Sequence, residues 1–451
     1  MKAPGPDEIL SRLEDDSAAI ARAVLKQADS FDHALFMVGG PVRDFLLDRP
    51  IRDVDLLVLR HGKRGAAELA RAAAVPGAEV VVHHRFGTVV IKQGESAVDV
   101  ATARRESYPH AGALPVVEAG TLEEDLLRRD FSANALALPL SLSARAEHPE
   151  VVDFADGLAD LVQNQLRVLH PRSFHDDPTR ALRAARLAPR LGFALSRDSR
   201  SSLRDALRDG AFGRVSGDRL RREFVKLFDD SALGLDPSRA LRLLSEWHVL
   251  AALEPGLTLE REAVVPLRRL GRAISDPPWH GARWRPWVVG LALWLAPVAP
   301  NLRRRTLRRL SVRGETAKRI GAFARSRDSW VRAVECARGR GAVDAVLRQL
   351  DEEDLQSLHA TVAPALRRRI VRYASEDRSR RLPVNGDDLL ATGLEGPAIG
   401  RALARIRIAY LDGRVRDRNE ALALAREFYR RRGPDRAKAP KNSRKSPKSD
   451  R

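Results

Sequence analysis

Leu35 to Leu59 reads LFMVGGPVRDFLLDRPIRDVDLLVL, and the reading of this stretch decides the fold. A short apolar run, Leu35–Val38, ends at Gly39-Gly40. A helix-like segment carrying Arg43 and Asp44 follows, breaks at Pro50, and gives way to Asp53-Val54-Asp55 and a second apolar run, Leu56–Leu59. On an extended strand residues i and i+2 point the same way, so Asp53 and Asp55 share a face. Two adjacent carboxylates are costly unless a cation sits between them, and hard oxygen ligands suit Mg²⁺. Gly-Gly ahead of a helix lets backbone N–H groups approach a phosphate, with the helix N-terminus and Arg43 adding positive charge. Asp-x-Asp alone also marks solvated turns, and Gly-Gly alone marks ordinary ones. In this order and spacing they point together to nucleotidyl transfer.

Gly39-Gly40-x-Val42-Arg43-Asp44 followed by Asp53-x-Asp55 resembles the class II tRNA nucleotidyltransferase and bacterial poly(A) polymerase family. The resemblance implies an α+β protein: a polymerase-beta-like nucleotidyltransferase head of α/β type, then an all-α neck, body and tail. The divisions expected are 1–150 for the head, 151–235 for a neck that binds the nucleobase and RNA, 236–330 for the body, 331–430 for a tRNA-binding tail, and 431–451 for a disordered basic end.

Composition agrees with a polyanionic partner. The 451 residues are enough for two to four domains, and the net charge is +19 with a pI near 10.9. Residues 431–451 hold nine Lys/Arg and two Asp, so most of the excess lies in the body of the protein. A single cysteine, Cys336, excludes an intramolecular disulfide framework and fits a reducing, cytoplasmic setting. The opening MKAPGPDEIL carries two acids and no apolar core, and is expected not to act as a signal peptide. The longest apolar run, Trp287–Ala299, is too short to span a bilayer and contains Gly290 and Pro297, so it is expected to be a buried helix.

Along the chain, Pro6–Ser30 reads as an amphipathic helix. Apolar runs alternate with helical stretches from Leu35 to Leu140, as in an α/β layer. Glu79–His83 and Thr88–Lys92 are expected to form a hairpin around Arg85-Phe86-Gly87, and Ala97–Ala101 a strand carrying Asp99. Asp99 is either a surface acid on an edge strand or a third carboxylate of the site. The family places an acid on the equivalent strand, which favours the second reading. Arg104–Thr121 reads as a long polar connection, where the family has a flexible loop that helps switch between nucleotides. Arg128-Arg129-Asp130-Phe131-x-x-Asn134-Ala135 matches a family motif; it implies that Arg129 holds the sugar or phosphates while Asp130 and Asn134 brace the site. Asp153, Gly157, Asp160 and Arg167 are in register with the family's connector to the neck and read as structural.

Asp177-Pro178 suits a helix start, with Asp177 as the cap. Asp177 and Arg180 then lie on one helix face. Cytosine and adenine both show an exocyclic amino donor beside a ring-nitrogen acceptor. A carboxylate accepts from the first while a guanidinium donates to the second. Guanine and uracil present the reverse order and would leave both groups unpaired, at ~1–3 kcal/mol each. The family uses such a pair within Glu-Asp-x-x-Arg; here Asp176 stands in place of the glutamate. Arg183 and Arg186 are expected at the triphosphate, and Arg219 and Glu223 as an i,i+4 pair that stabilises the neck. Asn301–Arg313 interleaves six arginines with leucines, either against RNA phosphates or as a solvated helix face. The remainder, from Asp236, reads as helical.

The implied reaction is attack of an RNA 3′-hydroxyl on the α-phosphorus of CTP or ATP. Asp53 and Asp55 would hold Mg²⁺, and Asp99 would serve as a base or third ligand. Gly39, Gly40, Arg43, Arg129, Asp177, Arg180, Arg183 and Arg186 would bind the nucleotide. CCA addition to tRNA is the preferred product, with A-only addition or poly(A) synthesis as alternatives and a non-catalytic RNA-binding role as the reading from another class. Retention of the 104–121 connection argues against CC-only addition. The sequence carries no signal for oligomeric state.

Overall fold

In the computed structural model the described residues are 1–60, 65–73, 75–83, 87–107, 116–275, 278–279 and 285–432. Period-two alternation builds the N-terminal sheet. Its strands are β1 (Leu35–Val38), β2 (Val54–Val58), β3 (Glu79–His83), β4 (Thr88–Gln93) and β5 (Ser96–Thr102), with β6 (Arg104–Ser107) and β7 (Val116–Ala119) apart from it, then β8 (Leu136–Pro139) and β9 (Val152–Asp153). The seven-stranded order is β3-β4-β5-β2-β1-β8-β9, and every pairing is antiparallel except β2 with β5.

Leu35 and Met37 of β1 join a core that includes Ile20 and Val24, while Phe36 and Val38 join Leu57, Leu122 and Leu126 on the opposite face. A strand covered on both faces must be apolar at every position, and LFMV satisfies that. In β2, Val54, Leu56 and Val58 face the first core and Leu57 the second. Asp55 occupies the same face as Leu57, at the end where the apolar cover stops. The parallel register then sets Asp55 directly beside Asp99 of β5.

Six helices matter for the site: α1 (Gly40–Leu46), α2 (Leu122–Leu127), α3 (Thr179–Leu191), α4 (Gly217–Asp229), α5 (Pro286–Leu295) and α6 (Pro300–Arg309). α3 buries Ala181, Leu182, Ala184, Ala185, Leu187 and Ala188, so its arginines at 180, 183 and 186 leave from the flanks of the apolar stripe. α5 is buried from Val288 to Leu295, as expected of its sequence. The first core extends from Ile9 through the neck to Phe323 and Ala360; a third gathers Trp279 with Val334 to Tyr373, and a fourth Val384 to Ala425.

The Glu79–His83 hairpin and the Asp99 strand form as expected. Pro6–Ser30 is two helices, Pro6–Leu10 and Asp15–Ser30, with Glu14 in extended backbone at the second start. The Arg104–Thr121 connection is a two-stranded ribbon at its base: Val116 and Val117 favour the extended form, and Arg105 sits opposite Glu118 with their charges 2.7 Å apart. Arg85, Phe86, residues 108–115 and the basic end from 433 lie outside the described residues; Arg431 and Arg432 close a helix. The arginines of α6 divide. Arg303 donates to the carbonyls of Leu295, Ala296 and Val298, and Arg309 to those of Val215 and Phe212, whereas Arg304 and Arg308 are exposed.

Asp153 closes the head by accepting from the N–H groups of Ala155 (3.1 Å), Gly157 (2.8 Å) and Leu158 (2.9 Å), at the start of the helix Gly157–Val162. Nearby Arg167 pairs with buried Asp160 at 2.8 Å. Asp153→Ala is expected to lower stability by about 1–2 kcal/mol, the usual worth of a lost cap. The shift of the urea unfolding midpoint measures it.

Candidate active site

A cavity of about 420 Å³ opens between the sheet and α3. Gly39, Gly40, Asp55 and Asp99 line it from the strands, Arg129 and Asp130 from the segment after α2, and Asp177, Arg180 and Arg183 from the start of α3. Side chains that are more than a hundred residues apart in sequence therefore share one space. Gly39 has φ near +80°, and a Cβ there would come within 2.6 Å of Arg129 Nη1 and 3.7 Å of Asp55 Oδ2. Only glycine lets the backbone pass under that guanidinium.

Burial pushes the Asp55 carboxyl up to about 6; Arg129 pulls against this, and the charges of Asp99 and Asp53 add to it. Asp99 is likewise pushed up by burial and by Asp53. Asp53 is exposed, just ahead of β2, and does not line the cavity, yet both neighbours feel its charge. Two buried carboxylates raised by desolvation and by the charge of a third acid nearby are the arrangement a cation relieves. Among the described residues no group of three or more metal-ligating side chains is gathered. The donor set is thus a carboxylate pair with a third acid at the rim. That fits Mg²⁺, which keeps waters and takes one or two carboxylates together with substrate phosphates.

A buried polar chain runs behind the cavity. Arg190 approaches Asp44 (3.5 Å), Asp44 pairs with Arg43 (2.7 Å), Arg43 donates to Asn134 Oδ1 (2.6 Å), and Asn134 donates to Asp130 (2.9 Å). Arg183 completes it, pairing with the other oxygen of Asp130 at 2.7 Å. Burial alone would raise the Asp130 carboxyl, but Arg183, Asn134 and Arg180 outweigh it and hold it below its usual range. Arg183 is raised in turn, chiefly by Asp130.

Two expectations are corrected here. Arg43 does not reach the cavity: its guanidinium is buried and held by Asp44 and Asn134, so it braces the Gly-Gly turn from behind. Arg186 leaves α3 on another side and faces Asp230 at 3.5 Å in a separate small cavity, because three-residue steps drift round the helix. Arg129 pairs with Asp125 at 3.1 Å while lining the site. Arg180 donates to Ser173 Oγ and, at 2.8 Å, to the carbonyl of Arg128. Asp177 accepts from the Thr179 N–H, as a cap should, and pairs with Arg219 at 2.7 Å. Arg219 and the cavity-lining Glu106 went unassigned to the site from sequence. Arg219 was legible only as a helix-face residue, and Glu106 had no motif around it.

A carboxylate pair on adjacent parallel strands of a mixed sheet, facing a charged helix start across one cavity, is the architecture of a nucleotidyltransferase. Residues 35–167 match the family described as Poly A polymerase head domain. The CC-adding tRNA nucleotidyltransferase of Deinococcus radiodurans is 31% identical over 434 residues, covering 95% of this chain and 98% of that one. The A-adding tRNA nucleotidyltransferase of Geobacter sulfurreducens is 30% identical over 427 residues, covering 91% of this chain; the chain spans only 47% of that relative's length. A solved structure of a CCA-adding enzyme in apo form superposes with a TM-score of 0.74 at 26% identity, over 94% of this chain and 98% of that one. The chain belongs to the tRNA nucleotidyltransferase and bacterial poly(A) polymerase family.

Asp130→Asn keeps an acceptor for Asn134 and for the Phe131 N–H but removes the charge facing Arg183. Arg183 is partly solvated, so the expected loss is about 1–3 kcal/mol, less than for a fully buried pair. The native carboxyl lies below its unfolded value; its contribution is complete above about pH 4 and is lost as pH falls through that range. The gap between wild type and variant in urea melts should therefore narrow on acidification.

Proposed function

We propose that the protein adds nucleotides from CTP and ATP to the 3′ end of tRNA without a nucleic-acid template, building or repairing CCA and releasing pyrophosphate. The observation that carries this reading is the shared cavity: the carboxylates of Asp55 and Asp99 open onto the same space as Asp177 and Arg180. In this reading residues 1–150 do the chemistry and 151–235 read the base. The helical segments 236–330 and 331–430 hold the RNA, and the end from 431 adds basic charge.

The hydroxyl oxygen of the RNA end forms a bond to the α-phosphorus as the bond to the β-phosphate oxygen breaks. Asp55 and Asp53, with Asp99 beside them, would hold Mg²⁺, which when bound lowers the cost of the incoming alkoxide and of charge on the leaving pyrophosphate. Asp99, whose carboxyl is pushed up by burial, is placed to accept the hydroxyl proton. Gly39 and Gly40 would let the backbone pass close to the phosphates, and Arg129, over Gly39, and Arg183 would supply positive charge. Asp177 accepts from the amino group of cytosine or adenine while Arg180 donates to the ring nitrogen, which supports entry of both bases into one site. No helix among the described residues is long and apolar enough to cross a membrane. The free, exposed Cys336 suits a reducing cytoplasm.

A second reading, A-only addition, is favoured by the name of the Geobacter relative. The two differ in product. Incubation with tRNA lacking its 3′ end and labelled CTP, ATP or both yields three added nucleotides only for full CCA addition. A-only activity would extend solely a tRNA already ending in CC, and long tails would mean poly(A) synthesis.

Asp55→Ala is expected to reduce incorporation by more than about a thousandfold while leaving tRNA affinity in filter binding close to wild type. Arg180→Ala should narrow the preference for ATP and CTP over GTP and UTP by about ten- to a hundredfold, measured as ratios of kcat/KM. Equal loss for all four nucleotides would refute the base-reading role.

A further inference from the structure

Asp177 offers its two oxygens very differently. Oδ1 accepts from the Thr179 N–H (3.0 Å) and the Thr179 hydroxyl (2.6 Å), and it forms an ion pair with Arg219 Nη2 at 2.7 Å. Two hydrogen bonds take both lone pairs and the guanidinium holds the charge, so Oδ1 has no capacity left. Oδ2 has no protein donor among the described residues, and Asp177 lines the cavity. We propose that Arg219 is a positioning residue for base selection: by holding Oδ1 from outside the cavity, it leaves Oδ2 as the single acceptor aimed at the base. This rests on the base-reading role of Asp177 set out above.

The charge of Arg219 matters as well as its bond. A carboxylate bound only by the Thr179 N–H and hydroxyl, both on its own turn, can rotate about Cβ–Cγ and present either oxygen, or admit a bridging water. A bridging water donates as readily as it accepts, so it would satisfy the carbonyl of uracil or guanine that a bare carboxylate oxygen rejects. A guanidinium fixed to Oδ1 removes both options, because its charge-assisted bond is the strongest of the three and comes from a different element.

Arg219 is itself held from the body. It sits one turn into α4, behind the Ser216 cap. A Cβ on Gly217 would meet Ser311 Oγ at 2.3 Å and the Arg309 carbonyl at 2.5 Å, so the start of α4 lies against the end of α6. Arg221 reinforces the contact by donating to the Ser311 carbonyl at 2.7 Å. The orientation of a base-reading carboxylate is thereby set by packing two elements away.

The test uses Arg219→Met, which keeps the aliphatic bulk and loses the donors, and Arg219→Lys, which keeps a cation. Single-turnover incorporation gives the discrimination ratios: ATP against GTP into tRNA lacking its terminal A, and CTP against UTP into tRNA lacking the whole CCA end. Arg219→Met is expected to lower the ATP-over-GTP and CTP-over-UTP ratios by about tenfold, with Arg219→Lys in between. In an Asp177→Ala background Arg219→Met should change the ratios no further. A uniform loss for all four nucleotides, or additive effects in the double variant, would mean Arg219 serves only neck stability and would overturn the proposal. If Arg219→Met does not fold, as judged by circular dichroism, the Lys variant decides alone: wild-type ratios would overturn the proposal. If Asp177→Ala by itself leaves discrimination intact, the base-reading assignment fails first and the Arg219 proposal falls with it.

Discussion

The ion pair of Asp130 with Arg183 is the central constraint of the site, because it fastens the segment after α2 to the helix across the cavity. Asp130 belongs to the segment that also presents Arg129 to Asp55; Arg183 belongs to the helix that presents Asp177 and Arg180. A buried carboxylate without a partner would be costly, and the half-exposed Arg183 supplies that partner. The pairing makes the approach of head and neck the way the carboxylate avoids that cost. The chain of contacts behind it, through Asn134 and Arg43 to Asp44, ties the same junction to the glycine turn.

Much of this was legible in the residues. Unbroken apolar runs at Leu35–Val38 and Leu56–Leu59 identified the strands, and the i, i+2 rule set Asp53 and Asp55 on one face, although only Asp55 lines the cavity. The parallel register that brings Asp99 beside Asp55 was not legible, since strand pairing depends on contacts between segments forty residues apart. Arginines were the hardest to assign. Their positions on helices could be read, but a side chain that long takes whichever acceptor the tertiary fold brings near. Arg43 turned inward to Asp44 and Asn134, Arg186 went to Asp230, and Arg219 went to Asp177. Apart from Asp44, next to Arg43, local spacing contains none of those partners. The Arg104–Thr121 segment was read as loop because its polarity hid a short ribbon fastened by Arg105 and Glu118.

The net charge of +19 therefore overstates the basic surface available to a polyanion. Arg303, Arg309, Arg369 and Arg407 spend their guanidinium groups on backbone carbonyls at helix ends, each satisfying two or more that the helices leave open. Arginine suits this work because its planar fork meets several acceptors at once. Part of the basic composition is thus internal scaffolding in a helical protein rich in helix ends.

If the protein adds nucleotides as proposed, its cavity of about 420 Å³ bears on how synthesis stops. A nucleic-acid template moves with its product, so each step presents new instructions. Here the instructions would be side chains fastened to a helix, which stay where they are. Register would then advance only if the growing strand slid or folded back to clear its newest residue. Product length would be governed by how far the RNA end can retreat, a mechanical limit set outside the reading groups.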